Sequence, residues 1–322
     1  MAHLVETMMS VKKTPWHGLG TILEAPPTAE DAIVAAGLDW SVEKRPMWFE
    51  AKDLHGNMIP SPDRFAVVRT KDNAYLGDAG AVWQPLQNRE AFRFFDPFVQ
   101  SGEATYETAG SLEEGRTIWV LAKINRSPIE VVKGDTVDKY VLLVNKHKAG
   151  YSIQSTLTPI RVVCNNTLTG AVNRAEWMLK AHHSKKTAEK LEDIQEVIAR
   201  ADSSFQKAAE AYRMFAKKSV NSQVIDQILA ETFEWSVGAS ESDREASFRK
   251  KQTETIMRLF ETGRGTDIKG VNGTVWGLYN AITEFVQHEK GKVEDKRLKD
   301  AWFGSGMAMN NRAFSAALRI AA

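Results

Sequence analysis

The chain has 322 residues, of which 43% are hydrophobic and 26% are charged, which is typical of a globular protein and excludes a disordered or fibrous one. No apolar run approaches the roughly 20 residues that cross a bilayer, and the start Met-Ala-His-Leu-Val-Glu lacks the basic and apolar regions of a signal peptide. The only cysteine, Cys164, excludes an internal disulfide and a cysteine-built zinc site. We therefore expect a cytoplasmic protein without a membrane partner.

The formal net charge of +1 is distributed unevenly along the chain. Residues 1–114 carry 10 Lys+Arg against 17 Asp+Glu, residues 115–218 carry 18 against 10, and residues 219–322 carry 14 of each. A basic middle third beside an acidic first third favours an anionic partner or head-to-tail contact between subunits. Long helices with solvated lysines are the alternative explanation.

The first 100 residues are predicted to mix short helices with strands. The initial 25 residues look irregular. Thr28 is the expected N-cap of a helix that Gly37 ends, and Asn88 begins a short helix that bends or ends near Pro97. Apolar and β-branched residues indicate strands at 40–49, 65–69, 75–77 and 82–83.

Strands dominate the prediction from residue 103 to residue 163. Apolar runs indicate buried strands at 117–123, 139–145 and 151–163. Lys133-Gly134-Asp135 is the expected turn between the first two of these strands. Asn165, Asn166 and Thr167 follow the last strand, and their side chains are able to cap a helix.

After Asn166 the chain is predicted to be helical. Between 187 and 216 the apolar residues step alternately by three and four, which indicates a long amphipathic helix with one narrow seam. This seam packs either on the body of the protein or on a neighbouring subunit. Further helices are expected near 222–235, 241–262, 274–289 and 308–320.

These elements give an α+β fold class. A β-rich N-terminal half, with an antiparallel or mixed sheet and short helices, precedes a helical C-terminal half. The predicted domains are an α+β core over residues 1–180 and a helical region over residues 181–322.

The motifs give little support to catalysis. Cys164 ends an apolar strand, where a cysteine is more often part of the core than a nucleophile. The seven histidines include no i, i+4 pair on a helix, and the sequence at 262–265 lacks the spacing and the lysine of a phosphate loop. We expect no enzyme, no cofactor and no metal, with a hydrolase built from carboxylates gathered by folding as a minor hypothesis.

Basic and aromatic residues alternate through the middle third in a pattern suited to single-stranded nucleic acid. Cations neutralise phosphates, and rings such as Trp119 and Tyr140 would stack on bases for about 1–3 kcal/mol each. In the alternative, both rings point into the core and the lysines are charges at strand edges. The predicted nucleic-acid-binding residues are Lys123, Lys139, Lys146, Lys148, Arg161, Arg174, Lys185 and Lys186.

Distinctive motifs are spread over nearly the whole chain. They are Pro15–Gly20, Leu38–Val42, Gln84–Asn88, Ala109–Leu112, Trp119–Lys123, Thr158–Leu168, Thr274–Glu284 and Ala301–Gly306. In these motifs the chain resembles the phage/plasmid-like protein family that is built on the domain of unknown function 932. The resemblance implies a gene of mobile elements, often near replication and recombination functions. It implies no catalytic residue.

The order of strands, basic middle and long helix is also similar to the layout of ring-forming single-strand annealing proteins, although no motif is shared. We therefore expect a non-enzymatic, homo-oligomeric protein that binds or anneals single-stranded DNA in phage or plasmid recombination or replication, in the bacterial cytoplasm. The alternative is a mobile-element factor that binds a host protein, for instance a defence component. Its expected anchors are Trp16-His17 and Trp302-Phe303, since aromatic residues dominate interface energetics.

Overall fold

The structure is a computed structural model, and it describes residues 5–12, 20–161, 166–167, 178–184, 187–235, 242–291, 300 and 304–322. Side chains are described for these residues except 49–52, 161, 166–167, 178–179 and 188–200. The chain forms two compact units: unit 1 comprises residues 1–125, 141–157 and 178–200, and unit 2 comprises residues 126–140, 158–177 and 201–322. The division into domains 1–180 and 181–322 stays a prediction.

The described strands all precede residue 182, and the longer helices all follow it. The strands are β1 (Val5–Val11), β2 (Thr21–Leu23), β3 (Val42–Lys52), β4 (Met58–Arg69), β5 (Tyr75–Ala79), β6 (Ala104–Leu112), β7 (Thr117–Ile124), β8 (Ile129–Val132), β9 (Asp135–Lys146), β10 (Ile153–Arg161), β11 (Asn166–Thr167) and β12 (Met178–Ala181). The helices are α1 (Ala29–Ala35), α2 (Asn88–Arg93), α3 (Asp96–Gln100), α4 (Thr187–Lys217), α5 (Ser222–Phe233), α6 (Asp243–Thr262), α7 (Val275–Glu284), continued by a π-helix (Phe285–Glu289), and α8 (Ser305–Ala321).

Unit 1 is built on two sheets. The larger sheet has the strand order β12-β10-β9-β7-β6-β1-β2, in which β1 pairs with β2 in parallel and with β6 antiparallel. The smaller sheet, β3-β4-β5, is antiparallel. Strand β7 is buried along nearly its whole length, as expected for a strand whose two faces are both covered.

Unit 2 holds the helices from α5 to α8, most of α4 and two strand pairs, β8 with β9 and β10 with β11. Its core contains a cluster of aromatic rings, with Tyr212, Phe215, Tyr279 and Phe314 at centroid distances between 5.4 and 6.4 Å. A buried carboxylate lies in the same unit: Asp135, which is 0% exposed, accepts a hydrogen bond of 2.8 Å from Nε1 of Trp276. This bond ties β9 to α7.

Replacing Trp276 by phenylalanine is expected to lower the free energy of unfolding by about 1–3 kcal/mol, because it removes a donor from a buried carboxylate. Urea denaturation followed by circular dichroism measures this loss. The matched control is Trp48→Phe, since Trp48 is 56% exposed and its replacement should cost less than about 0.5 kcal/mol. Equal losses for both variants would contradict the role assigned to the Trp276–Asp135 bond.

The α+β class and the main predicted elements are confirmed. Thr28 caps α1 by accepting from the Asp31 amide, and Gly37 follows that helix with φ +66°. Gly134, with φ +86°, turns the chain between β8 and β9. The predicted seam is a continuous helix, and from Ala201 to Phe215 its apolar residues are buried within unit 2. That part of the seam therefore packs on the body of the protein.

Three predictions about elements are wrong. The first 25 residues are not all irregular, because β1 and β2 join the larger sheet. Residues 82–83 form no strand, and Val82 lies in a turn with 87% of its surface exposed. The chain does not become helical directly after Asn166, because Asn166–Thr167 pair with β10 and Met178–Ala181 add another strand. Asn165 and Cys164 lie outside the described residues.

Among the described residues, no helix combines the length and the apolar character that a membrane crossing requires.

Candidate functional site

The predicted nucleic-acid-binding residues separate into those that the structure describes and those that it does not. Side chains are described for Lys123, Lys139, Lys146 and Lys148. Only the backbone of Arg161 is described, and Arg174, Lys185 and Lys186 lie outside the described residues, so their assignments stay predictions. Lys123 is half-buried on β7.

Lys139 is held inside unit 2 by its own neighbours. Its Nζ lies 3.6 Å from the Asp202 carboxylate and 5.9 Å from the centroid of the Phe205 ring. Its side chain is only 14% exposed. A lysine in these surroundings is poorly placed to bind a phosphate, because it would first have to break its ion pair with Asp202.

The two rings considered for base stacking belong to the core. Trp119 is 1% exposed and Tyr140 is 3% exposed. The hypothesis that they stack on bases is therefore wrong, and the alternative that they point inward holds. The reason is that β7 and β9 are both buried over most of their residues.

A cationic and aromatic surface does occur at the end of β9 and in the loop that follows it. Lys146 places its Nζ 4.1 Å from the centroid of the Tyr151 ring, and that tyrosine is 46% exposed. Lys148 is exposed two residues further along. We call Lys146, Lys148 and Tyr151 the hairpin patch. All three residues lie in unit 1.

The side-chain alternation of an extended chain explains the hairpin patch. Successive side chains point to opposite faces, so Lys146 and Lys148 face outward while Asn145 and His147 face inward. Asn145 and His147 are both 0% exposed. The same few residues therefore build a charged surface on one side and a buried polar cluster on the other.

The buried polar cluster is organised by every second residue of the segment 84–88. The Gln84 carbonyl accepts from Nδ1 of His183 at 3.1 Å, and the Leu86 carbonyl accepts from Nδ2 of Asn145 at 3.0 Å. Oδ1 of Asn88 lies 2.9 Å from Nε2 of His147. We call Asn145, His147 and His183 the histidine cluster.

Asn88 also binds a second stretch of the chain. Its Nδ2 donates to the carbonyl oxygens of Leu38 and Trp40, at 3.1 and 3.3 Å. Next to it, Gln87 forms two bonds with the backbone of Val42, with lengths of 2.9 and 2.8 Å. Two of the motifs noted in the sequence, Leu38–Val42 and Gln84–Asn88, are thus joined by hydrogen bonds.

Burial keeps both histidines of the cluster neutral. Loss of hydration and, to a smaller extent, the nearby His183 together lower the pKa of His147 to about 3. Burial also lowers the pKa of His183, while the backbone groups of Gln84 and Lys146 oppose that effect. Trp83 packs on the His183 ring at a centroid distance of 4.9 Å. Neutral imidazoles each keep one nitrogen with a lone pair.

Unit 2 offers an open groove of about 450 Å³, lined by Glu231, Glu234, Asn311, Arg312, Ser315 and Arg319. Arg312 lies 3.3 Å from the Glu234 carboxylate, and Arg319 pairs with Glu231. The two arginines and two glutamates cancel in formal charge. The groove therefore has no surplus charge to recruit an ionic ligand.

Sequence reasoning missed the histidine cluster. A search for paired histidines on helices could not find it, because His147 and His183 lie on different elements and only strand pairing brings them together. The available signal was the polar pair Asn145 and His147 at alternate positions directly after the apolar run of β9. Polar residues on the inward face of a buried strand require partners.

The comparisons with known proteins concern most of the chain. The sequence profile of a domain of unknown function, DUF932, matches residues 75–302. No curated protein and no solved structure matches the chain. The matched range contains the hairpin patch and the segment 84–88. Because the match extends over most of the 322 residues, the chain belongs to the family defined by the domain of unknown function 932.

Proposed function

We propose that this protein binds single-stranded nucleic acid without catalysing a reaction, and that it acts on DNA in the recombination or replication of a phage or plasmid. The observation that carries the proposal is the hairpin patch, in which Lys146 lies over the exposed Tyr151 ring and the exposed Lys148 follows two residues along the chain. The basic middle third of the sequence and the family resemblance also support this proposal.

The chemistry of the hairpin patch suits a single strand. An exposed ring stacks on any base, since every base has a π-face, and lysines beside it neutralise the phosphates of the same strand. The cation over the Tyr151 ring, at 4.1 Å, holds charge and stacking surface together. A single tyrosine with two lysines makes no specific hydrogen bonds to base edges, so the binding should be independent of the nucleotide sequence.

Arg161, Arg174, Lys185 and Lys186 remain further binding residues predicted from the sequence, because their side chains lie outside the described part of the chain. A homo-oligomer would repeat these contacts from subunit to subunit, and the acidic first third of the chain offers a surface for head-to-tail association. Analytical ultracentrifugation of the full chain, with and without DNA, tests that association.

We expect the double variant Lys146→Ala/Lys148→Ala to lower the slope of log K against log salt by about 1.4, because each phosphate contact on a single strand contributes about 0.7. Tyr151→Ala should weaken binding by about 5- to 150-fold, which corresponds to about 1–3 kcal/mol of stacking. Fluorescence anisotropy with a single strand of about 40 nucleotides, at two or more salt concentrations, measures both effects.

Lys71 and Tyr75 provide the matched control. Both are exposed in unit 1, with the Lys71 side chain 62% exposed and Tyr75 52% exposed. Lys71→Ala/Tyr75→Ala should leave affinity and salt slope unchanged. An unchanged affinity in the patch variants would show that the hairpin patch is not the binding site. A wild-type protein that binds no single strand at low salt would contradict the proposed function itself.

Protein binding is the second candidate function, and the far end of the β3–β4 hairpin favours it. Trp48 is 56% exposed, Leu54 is 101% exposed and Met58 is 44% exposed. Exposed large apolar residues grouped on one hairpin mark interaction surfaces. The anchors expected from the sequence, at 16–17 and 302–303, lie outside the described residues. A host protein retained by the wild type and lost with Trp48→Ser/Leu54→Ser would support this function.

A further inference from the structure

Four buried polar atoms around the segment 83–88 lack a hydrogen-bond partner: Nε1 of Trp83, Oδ1 of Asn145, Nδ1 of His147 and Nε2 of His183. Asn145 and His147 are 0% exposed, and Trp83 and His183 are each 6% exposed. Buried polar groups are nearly always satisfied, so each exception needs an explanation. Three of these four atoms belong to the histidine cluster, which points to a common cause for those three.

The hydrogen bonds of the histidine cluster determine which atoms carry lone pairs. Nδ1 of His183 faces a carbonyl oxygen of Gln84 and therefore holds the ring proton, which leaves a lone pair on Nε2. The Asn88 amide donates through Nδ2 to two carbonyls, so its Oδ1 is an acceptor and Nε2 of His147 holds the proton. Nδ1 of His147 is then left with its lone pair.

Asn145 is oriented in the same way. Its Nδ2 donates to the Leu86 carbonyl, which assigns the other amide atom, Oδ1, as oxygen with free lone pairs. The histidine cluster therefore presents three acceptor atoms, none of which carries a proton. Trp83 is the exception among the four residues, because its Nε1 is a donor and has no lone pair to offer.

We propose that the histidine cluster is a binding site for a divalent transition metal ion, with Nδ1 of His147, Nε2 of His183 and Oδ1 of Asn145 as its protein ligands. Buried lone pairs without a donor are costly, and one cation would satisfy all three at once. Two neutral imidazoles favour zinc, nickel, cobalt or copper over calcium or magnesium, which prefer all-oxygen sites.

The segment 84–88 forms hydrogen bonds with the three proposed ligand side chains and so fixes their orientation. Histidines that bind metals almost always donate their other ring N–H to a carbonyl or carboxylate, which fixes the tautomer and the ring orientation. Here Gln84 and Asn88 perform that role for His183 and His147, and Leu86 performs it for Asn145.

The proposed site differs from one built of charged ligands. Among the described residues, no three His, Cys, Asp or Glu side chains are grouped as a metal site would need. The third ligand here is an amide oxygen, and the site carries no negative charge of its own. We therefore expect a preference for ions that bind imidazole strongly, and weak or no binding of calcium and magnesium.

The test uses the full chain, freed of metal by a chelator and dialysed. Titration with Co²⁺ followed by visible absorption, and with Zn²⁺ followed by calorimetry, should give one ion per chain. X-ray absorption of the zinc-loaded wild type should show two imidazoles and no sulfur in the coordination shell. His183→Gln should lose the site, whereas His182→Gln, which changes an exposed neighbour, should keep it.

The wild-type measurements decide the proposal even where a variant fails to fold. A wild type that binds neither Co²⁺ nor Zn²⁺, or a coordination shell without two imidazoles, would overturn it. Equal loss of binding in His182→Gln and His183→Gln would also overturn it, because the ion would then lie at the surface. The proposal is independent of nucleic-acid binding, which the hairpin patch variants test separately.

Discussion

Replacing Asn88 by alanine is expected to lower the free energy of unfolding by about 3–4 kcal/mol, because the substitution breaks a buried hydrogen-bond network. The Asn88 side chain is 0% exposed and bonds to His147 and to the carbonyls of Leu38 and Trp40. Its removal leaves up to three buried polar groups unpaired, and each such group costs about 1–3 kcal/mol before relaxation.

Urea denaturation followed by tryptophan fluorescence measures the loss. The control is Asn125→Ala, because Asn125 is exposed and also forms two hydrogen bonds through its side chain, with Gly102 and Thr105. Water replaces the lost partners at that site, so the control should lose less than about 1 kcal/mol. A similar loss in both variants would show that burial of the Asn88 network is not what stabilises the fold.

The second large effect is expected for Arg69→Leu, which should lower the free energy of unfolding by about 3 kcal/mol. Arg69 is 8% exposed and binds Glu6 with bonds of 2.8 and 2.9 Å and Asp72 with bonds of 2.9 and 2.7 Å. Removing the cation leaves two carboxylates of unit 1 without their counter-charge. Breaking one side of a buried ion pair typically costs about 3–5 kcal/mol, and partial exposure of the carboxylates reduces that cost.

Arg69 stabilises the fold through both its charge and its packing. The guanidinium lies 5.4 Å from the Trp40 ring, so the substitution also removes a cation–π contact. Hydrogen bonding to Asp72 raises the pKa of Arg69, and the same contact lowers the pKa of Asp72. The charged form of each partner is therefore favoured in the folded protein.

Arg64→Leu is the matched control for Arg69→Leu. Arg64 lies on the same strand and pairs with Asp78 at 2.9 Å, but its side chain is 59% exposed. Exposed ion pairs contribute about 0–1 kcal/mol. Thermal unfolding of both variants should show a large fall in melting temperature for Arg69→Leu alone, and comparable falls would contradict the importance of the buried network.

The motifs by which the chain resembles its family have a structural explanation in this fold. Leu38–Val42 and Gln84–Asn88 are joined through Gln87 and Asn88, and the second motif also orients the histidine cluster. These residues therefore hold strands and loops together around buried polar groups. This role requires no catalytic chemistry, and it is compatible with the metal site that we propose.

Local patterns in the sequence were sufficient for the elements that depend on neighbouring residues. The 3-4 spacing from 187 to 216 predicted α4, because helix periodicity is a property of consecutive residues. The apolar runs at 117–123 and 139–145 predicted β7 and β9 for the same reason. The turn at Gly134 followed from the freedom of glycine at positive φ.

Long-range pairing explains the elements that were predicted wrongly. Strand β1 is mixed in composition and exists because β6 pairs with it, about 100 residues further along the chain. Strand β12 exists because β10 supplies its partner. Residues 82–83 have strand-like side chains, yet they form no strand, and the segment 84–88 that follows them is held instead by hydrogen bonds to the histidine cluster. None of these pairings is encoded in neighbouring residues.

By itself, the amino-acid sequence determined the α+β class, the long helix, the basic middle third and the family. Only the tertiary structure decided which of the described candidate side chains are buried or paired. Lys139 turned out to be bound to Asp202, Trp119 and Tyr140 lie in the core, and the loop after β9 carries the exposed charge. The physical reason is that residue type sets what a side chain can bind, whereas burial and strand pairing set what it can reach.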